Sequence, residues 1–356
     1  MSLTLTVDGE RWRSHLHTVA EATPGLVPVA KGNGYGFGLG RLARRAQWLA
    51  DQGLGCDTLA VGTYEELPEV ASRFAGDLLV LTPWRPFGAA LELDPAYAGR
   101  VIHTIGRPED LLGLLEREPR ARYVLELLTS MQRHGLTPSR LRELTWPDDR
   151  RGGLAGVALH LPLARESHLT EVHHLVDDLL ESGLQDDTTT LWVSHLTGAE
   201  LEALKGRHPG FTFRPRIGTG LWLGDRKALT VTATVLDVHP VERGDVFGYR
   251  GRAAPKSGHL LIVSGGTAHG IGLESPMGES SLRSRAATLA RGGMDAVGFV
   301  RSPYTVDGKQ RLFAEPPHMQ ASMLFLPRGP KVPEVGEELG VRVRYTATTF
   351  DRVVIG

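Results

Sequence analysis

Eight short apolar runs, most followed by a stretch with helical patterning, constrain this fold more than any other feature. The first, Leu26-Val27-Pro28-Val29-Ala30, leads into Lys31. The others are Thr58–Gly62, Leu78–Leu81, Val101–Ile105, Tyr123–Leu128, Val157–Leu161, Leu191–Ser194 and Phe213–Ile217. Between them, Gly40–Leu54, Arg107–Glu116, Glu166–Ser182 and Gly198–Lys205 carry apolar residues at helical spacing, and residues 10–22 do so ahead of the first run. Near-continuous apolar runs are what strands covered on both faces look like. Eight such units predict an α/β fold with a (β/α)8, TIM-like barrel, and a doubly wound sheet is the competing arrangement. Either fold places its chemistry at the C-terminal ends of the strands. Lys31, His160, His195 and Arg216 fall at or near such ends.

Beyond Asp225 the texture changes. Strand-like segments at Ala228–Val238, Leu260–Ser264, Met323–Leu326 and Val341–Tyr345 are separated by turn signals such as Arg243-Gly244-Asp245, with few helical patterns. The expectation is a barrel domain over residues 10–225 and a mostly β C-terminal domain over 226–356. Residues 1–9, whose Leu-Thr-Leu-Thr-Val alternates, are expected to add a strand to the second.

A chain of 356 residues with 41% hydrophobic content is long enough for both parts. Its net charge of -1 gives no reason to expect a nucleic acid or other polyanion as partner. A single cysteine, Cys56, excludes an internal disulfide and fits a cytoplasmic address. Met1–Val7 lacks the basic and apolar pattern of a secretory leader. No run approaches the ~20 apolar residues that a membrane span needs, so no membrane partner is expected.

The segment that follows the first run, Lys31-Gly32-Asn33-Gly34-Tyr35-Gly36-Phe37-Gly38, joins a lysine at a strand end to four alternating glycines. A lysine is costly to bury as a cation, and it is tolerated where its pKa is lowered or its amine is covalently capped. Glycines allow backbone to approach something bulky and flat. The segment resembles the pyridoxal-phosphate lysine motif of the alanine racemase family (fold-type III enzymes), Lys-Ala-Asn-Ala-Tyr-Gly-His-Gly. Lys31, Asn33, Tyr35, Gly36 and Gly38 match, while Gly32, Gly34 and Phe37 depart. The resemblance implies pyridoxal 5'-phosphate held covalently by Lys31, with Tyr35 reaching its phosphate.

Further motifs follow in the family's order. Thr129-Ser130-Met131-Gln132-Arg133-His134-Gly135 is similar to Asp-Thr-Gly-Met-x-Arg-x-Gly, which implies that Arg133 binds substrate. The family's aspartate is Leu128 here, and its commonly modified lysine falls at Glu126, so a pairing of Glu126 with Arg133 is one expectation. His160 matches the histidine beside the cofactor ring, although by itself it also fits a buried core histidine. His195-Leu196-Thr197-Gly198-Ala199 loosely resembles the phosphate loop, with Thr197 supplying a hydroxyl, and a helix N-cap is equally natural. Arg216-Ile217-Gly218-Thr219-Gly220 resembles Arg-x-Gly-Ile, which implies Arg216 at the pyridine nitrogen and the amides of Gly218 and Thr219 on the phosphate. An arginine stays protonated and cannot give that nitrogen a proton, so the ring is a weaker electron sink. A weak sink suits rapid proton return, hence racemisation over transamination.

The chief departure is Gly265-Gly266-Thr267-Ala268-His269-Gly270, where the family has Gly-Tyr-Ala-Asp-Gly. The tyrosine there is the second acid/base, donated by the partner subunit of a homodimer with shared sites. Thr267 occupies its place and His269 that of the aspartate. A hydroxyl does not titrate usefully near neutral pH, whereas an imidazole does. His269 is therefore a candidate second base, with His318 and Tyr304 as alternatives. Met319 and Gln320 match the family's Met-Asp segment, which implies contact with the substrate carboxylate. The family's closing phosphate tyrosine has no matched residue, and Phe313-Ala314-Glu315 has no place in the pattern. The resulting expectation is a racemase acting on a small amino acid, without a metal. The alternatives are a one-base pyridoxal-phosphate lyase or decarboxylase and a non-catalytic pyridoxal-phosphate-binding protein.

Overall fold

The computed structural model describes residues 2–146, 153–163, 167–184, 188–273 and 300–356. The chain divides into two compact units. One comprises Arg13–Gly34 and Gly38–Gly224. The other comprises Met1–Trp12, Tyr35–Phe37 and Asp225–Gly356.

The chain opens with strand β1 (Leu3–Val7) and helix α1 (Gly9–Glu21). Eight parallel strands follow among the described residues. They are β2 (Val27–Pro28), β3 (Thr58–Val61), β4 (Asp77–Pro83), β5 (Val101–Ile105), β6 (Arg122–Leu127), β7 (Leu154–Leu159), β8 (Thr190–Ser194) and β9 (Thr212–Ile217). Their hydrogen-bonded order is β2-β9-β8-β7-β6-β5-β4-β3. The ring is nearly closed where Val29 bridges to Ala60 and the Ala30 N–H donates to the Ala60 carbonyl at 2.8 Å. That closure decides for the barrel over a doubly wound sheet, which would leave two open edges. The Leu26–Ala30 run forms a shorter ladder than its pattern predicts, because Pro28 has no N–H to donate.

The helices between the strands are α2 (Leu39–Asp51), α3 (Leu67–Ala71), α4 (Pro95–Ala98), α5 (Pro108–Arg117), α6 (Pro138–Arg142), α7 (Leu169–Glu181) and α8 (Gly198–Arg207), with α9 (Thr219–Trp222) after β9. Helix α2 buries Leu42, Ala43, Ala46 and Leu49 at three- and four-residue spacing, so its arginines face outward. The helix expected from Glu166 begins at Leu169, and residue 166 lies outside the described residues.

One layer of the barrel interior is apolar: Val27, Val29, Ala60, Leu79, Ile102, Val124, Ala158 and Trp192 pack together. Strand side chains alternate, so the next inward layer lies two residues further along each strand. It contains Lys31, Leu81, Thr104, Glu126, His160, Ser194 and, in register with Ser194, Arg216. The apolar plug therefore carries a polar layer at the strands' C-terminal ends.

The second unit is built on β10 (Leu229–Val241), β11 (Val246–Phe247), β12 (Arg252–Ala253), β13 (Gly258–Ser264), β14 (Arg301–Val306), β15 (Lys309–Phe313), β16 (Ala321–Pro327), β17 (Glu338–Val341) and β18 (Arg352–Ile355). The order β13-β16-β15-β14-β17-β10-β1-β18, with β10 also paired to β13, makes a mostly antiparallel sheet. Strand β1 joins it through Leu3↔Ala233 to Val7↔Leu229. The strand expected over Val341–Tyr345 instead ends at Val341. Pro303 accepts the Arg342 N–H at 3.0 Å but has no N–H to return, so the ladder stops there. The β14–β15 hairpin turns on Asp307-Gly308, where both residues have positive φ (50° and 67°).

Candidate active site

Lys31 stands two residues past Val29, on the inward parity of β2. Gly32, Gly34, Gly36 and Gly38 all take positive φ (61° to 88°), and Tyr35 does so at 54°. A left-handed run of that kind needs glycine, which explains the alternation. Glu66 holds the start of this loop: its Oε1 accepts the Gly32 N–H at 2.7 Å, and its Oε2 accepts the Gly62 N–H at 2.6 Å. Sequence reasoning missed Glu66, although Thr63-Tyr64-Glu65-Glu66 directly after β3 reads as a capping box. The Lys31 amine lies below its ordinary pKa. Loss of hydration is the largest cause, followed by repulsion from Arg133 and Arg216, and Glu66 opposes them.

Arg216 is 7% exposed. Its Nη2 donates to the Leu159 carbonyl at 3.0 Å, and its Nε has no protein partner among the described residues. Burial, then repulsion from Arg133, lowers its pKa to about 10 against the attraction of Glu126, so it remains a cation at neutral pH. Glu126, 3% exposed, has its Oε2 unpartnered, and burial raises its pKa to about 6 despite both arginines. The expected Glu126–Arg133 ion pair does not form. The two residues interact only at longer range, because Arg133 rides on a loop that folds back over the end of β6. That loop is held by the Leu128 N–H on the Leu136 carbonyl (2.9 Å) and the Leu136 N–H on the Glu126 carbonyl (2.8 Å). Arg133 is exposed, and its field reaches Lys31, Glu126, His160, His195 and Arg216.

His160 is half-buried, with Nδ1 at 3.0 Å from Ser194 Oγ and its ring edge-on to His195 at 5.3 Å. Burial, then Arg216 and Arg133, lowers its pKa to about 3, so it is a neutral imidazole. His195 is shifted the same way by burial, Arg216 and Lys31, and its backbone is held at φ 61°. Non-glycine residues at positive φ are uncommon and concentrate at functional sites. Thr197 caps α8. Its Oγ1 accepts the Glu200 N–H at 3.2 Å and its hydroxyl donates to Glu200 Oε2 at 2.9 Å. Its hydroxyl is therefore committed to the helix start. Gly218 precedes α9, and the amides of Thr219 and Gly220 open that helix with no intrahelical acceptor.

The barrel unit thus brings together Lys31, Arg133, His160, Arg216 and the Gly218–Thr219 turn, and adds Glu126 and His195. The orphaned Arg216 Nε, an amine below its usual pKa and open amides at a turn fit a flat cofactor with a ring nitrogen, an aldehyde and a phosphate. An unpartnered buried donor costs about 1–3 kcal/mol, a penalty that a ligand's acceptor would relieve.

The remaining candidates belong to the second unit. Tyr35 is 6% exposed there, and a Cβ on Gly36 would lie 2.7 Å from Phe350. Tyr345 packs on Phe350 at 6.2 Å, with the Arg226 guanidinium 4.7 Å from its ring. Tyr345 is a phenol that sequence reasoning had not placed, and its carbonyl approaches Gly36. Thr267 and His269 form a short 3-10 turn. His269 Nδ1 accepts the Gly266 N–H at 3.2 Å and its Nε2 faces Asp351 Oδ1 at 3.0 Å, so both ring nitrogens are engaged. Met319 is 73% exposed, and the Gln320 carbonyl accepts the Gly265 N–H at 3.0 Å.

The comparisons agree with the barrel's geometry. Residues 7–203 match the family described as alanine racemase, N-terminal domain, and the chain belongs to that family. The fold is similar to that of alanine racemase from Bartonella henselae with covalently bound pyridoxal phosphate (TM-score 0.70, 16% identity, 100% of both chains covered). It is also similar to the enzyme from Acinetobacter baumannii (TM-score 0.64, 16% identity, 100% of both chains). A third likeness is to the biosynthetic alanine racemase from Pseudomonas aeruginosa (TM-score 0.62, 22% identity, 97% of this chain and 91% of that one). A search of curated proteins returns no match to the sequence. Among the described residues, no helix is long and apolar enough to cross a membrane, and no cluster of three metal-ligating side chains occurs.

Proposed function

We propose that this protein is a pyridoxal-phosphate-dependent amino-acid racemase. The observation that carries the reading is the buried Arg216 with its open Nε, in the same polar layer as an amine held below its usual pKa. Lys31 would hold the cofactor aldehyde, Arg216 would donate to the pyridine nitrogen, and His160 would lie beside the ring. The amides of Gly218 and Thr219 would hold the phosphate. Bound pyridoxal phosphate supplies an electron sink that acidifies the α-proton of an amino acid. Arg133, an exposed cation with no ion pair among the described residues, would take the substrate carboxylate, with Met319 and Gln320 of a second copy bounding the same group. Lys31 would exchange the α-proton on one face. Its lowered pKa leaves more of the amine free to accept that proton near neutral pH.

The reading includes a homodimer in which the Thr267 and Met319 loops of one copy complete the site of the other. The test is direct. Purified protein incubated with pyridoxal phosphate is expected to gain visible absorbance that Lys31→Ala lacks. It is also expected to exchange the α-proton of alanine in D₂O. A wild-type protein that stays colourless would overturn the proposal, and a fully active monomer would overturn the shared site.

A further inference from the structure

Racemisation needs a second group to return the proton on the face opposite Lys31. At the barrel mouth His160 stays neutral down to about pH 3, and burial first, then nearby cations, lowers the pKa of His195 and of His134 as well. Among the described residues of the second unit, Tyr304, His269 and His318 are the candidates near the Thr267 loop. Tyr304 is fully buried, with its hydroxyl 2.8 Å from the Gly265 carbonyl and 2.9 Å from that of Ser264. His269 has both nitrogens bonded. His318 differs from both. Its Nε2 faces Glu315 Oε1 at 2.7 Å, its side chain is 35% exposed, and its Nδ1 has no protein partner among the described residues.

Glu315 is built to orient that ring. It is 3% exposed, and its Oε2 accepts the Tyr249 N–H at 3.0 Å. Gly248 (φ 72°) leaves room for it, since a Cβ there would lie 2.2 Å from Glu315 Oε2. A carboxylate on Nε2 selects the tautomer that donates from Nε2 and leaves the Nδ1 lone pair free of that partner. Backbone bonds tie this residue to the Thr267 loop: the Thr267 N–H reaches the His318 carbonyl at 2.8 Å and the Ala268 N–H reaches that of Met319 at 2.9 Å. Tyr249 (87% exposed, its ring 4.8 Å from that of His318) and Met319 (73%) leave large apolar surface uncovered beside it.

We propose that His318, oriented by Glu315, is the second acid/base residue, presented to the barrel mouth of a second copy of this chain. The inference rests on the racemase reading above. In one direction the neutral Lys31 amine takes the α-proton and becomes ammonium. The His318 imidazolium gives its Nδ1 proton to the opposite face of the same carbon and becomes neutral. The reverse direction exchanges the two roles, so protons balance without another reactant. His318 is the catalytic residue and Glu315 a positioning residue.

The experiment compares wild type, His318→Asn and Glu315→Leu as full-length holoenzymes, with D- and L-alanine as probes in D₂O. His318→Asn is expected to keep the cofactor absorbance, which reports folding and Lys31 attachment. It is expected to lose racemisation by about a hundredfold or more, while still exchanging the α-proton of one enantiomer through Lys31. Nitrogen-15 NMR of the histidine rings, with and without cofactor, is expected to show His318 as the Nε2–H tautomer in wild type and a tautomer mixture in Glu315→Leu. Mixing Lys31→Ala with His318→Asn subunits is expected to restore about a quarter of wild-type activity, because a two-fold hybrid dimer regains one intact site. Wild-type racemisation in His318→Asn, a mixed tautomer in wild type, or no recovery on mixing would overturn the proposal. A wild type that takes up no cofactor would instead fail the parent reading, and this inference with it.

Discussion

The polar layer of the barrel and the ridge formed by the Thr267 and His318 loops are built on opposite principles. In the barrel, Arg216 Nε and Glu126 Oε2 are buried and lack partners among the described residues. On the ridge, Tyr304, His269 and Glu315 are bonded to neighbours, and His318 keeps one nitrogen open. Open buried valences belong to a place where a rigid ligand supplies the missing partners. A bonded ridge with one open imidazole nitrogen belongs to a place where a group must be aimed.

The largest expected effect tests the barrel side. Lys31→Ala should abolish the visible absorbance of bound cofactor and lower racemisation by about 10³-fold or more, measured spectrally and by polarimetry. Retained absorbance would break the contrast at its source. Next, Arg216→Gln should weaken cofactor binding by about 10- to 100-fold in equilibrium titration, since a charged hydrogen bond contributes about 1.5–3 kcal/mol. If it lowers the stability of the cofactor-free protein just as strongly, the open valence serves the fold and not a ligand.

Smaller effects sharpen the comparison. The carboxyl of Glu126 has a folded pKa raised from 4.5 to about 6. Between these values the folded state binds more protons than the unfolded state, so this group's contribution to stability falls as pH rises. The loss amounts to about 2 kcal/mol and is complete above the folded pKa. Glu126→Gln should remove this component from denaturant titrations run at pH 4.5 to 7. On the ridge, His269→Ala should cost about 1–2 kcal/mol in chemical unfolding, because two hydrogen bonds close on that ring. An unchanged midpoint would mean that the ring is not part of the fold's support.

Much of the barrel was legible because its signals are local. The runs Val101–Ile105 and Phe213–Ile217 match β5, which is buried along its whole length, and nearly match β9, whose Arg214 and Arg216 interrupt the apolar pattern. Lys31, His160 and Arg216 could be placed because strand ends are where such a fold keeps polar groups. The second unit was harder to read. Strand β18 pairs with β1 from the other end of the chain, and β14 pairs with β17 as well as with its hairpin neighbour β15. Glu315 stood outside every motif, because its meaning depends on Gly248, Tyr249 and His318 meeting around it.

The amino-acid order alone determined the eight-fold alternation, the lysine at the first strand's end and the arginine at the last. Each rests on a two- or three-residue spacing along one segment. Tertiary structure alone decided which polar groups stay open and which are closed. It showed Thr197 committed to its helix, Glu126 unpaired with Arg133, and His318, not His269, left with a nitrogen that no described residue engages. Hydrogen bonding and desolvation depend on neighbours remote in sequence, and no local pattern encodes which of them will arrive.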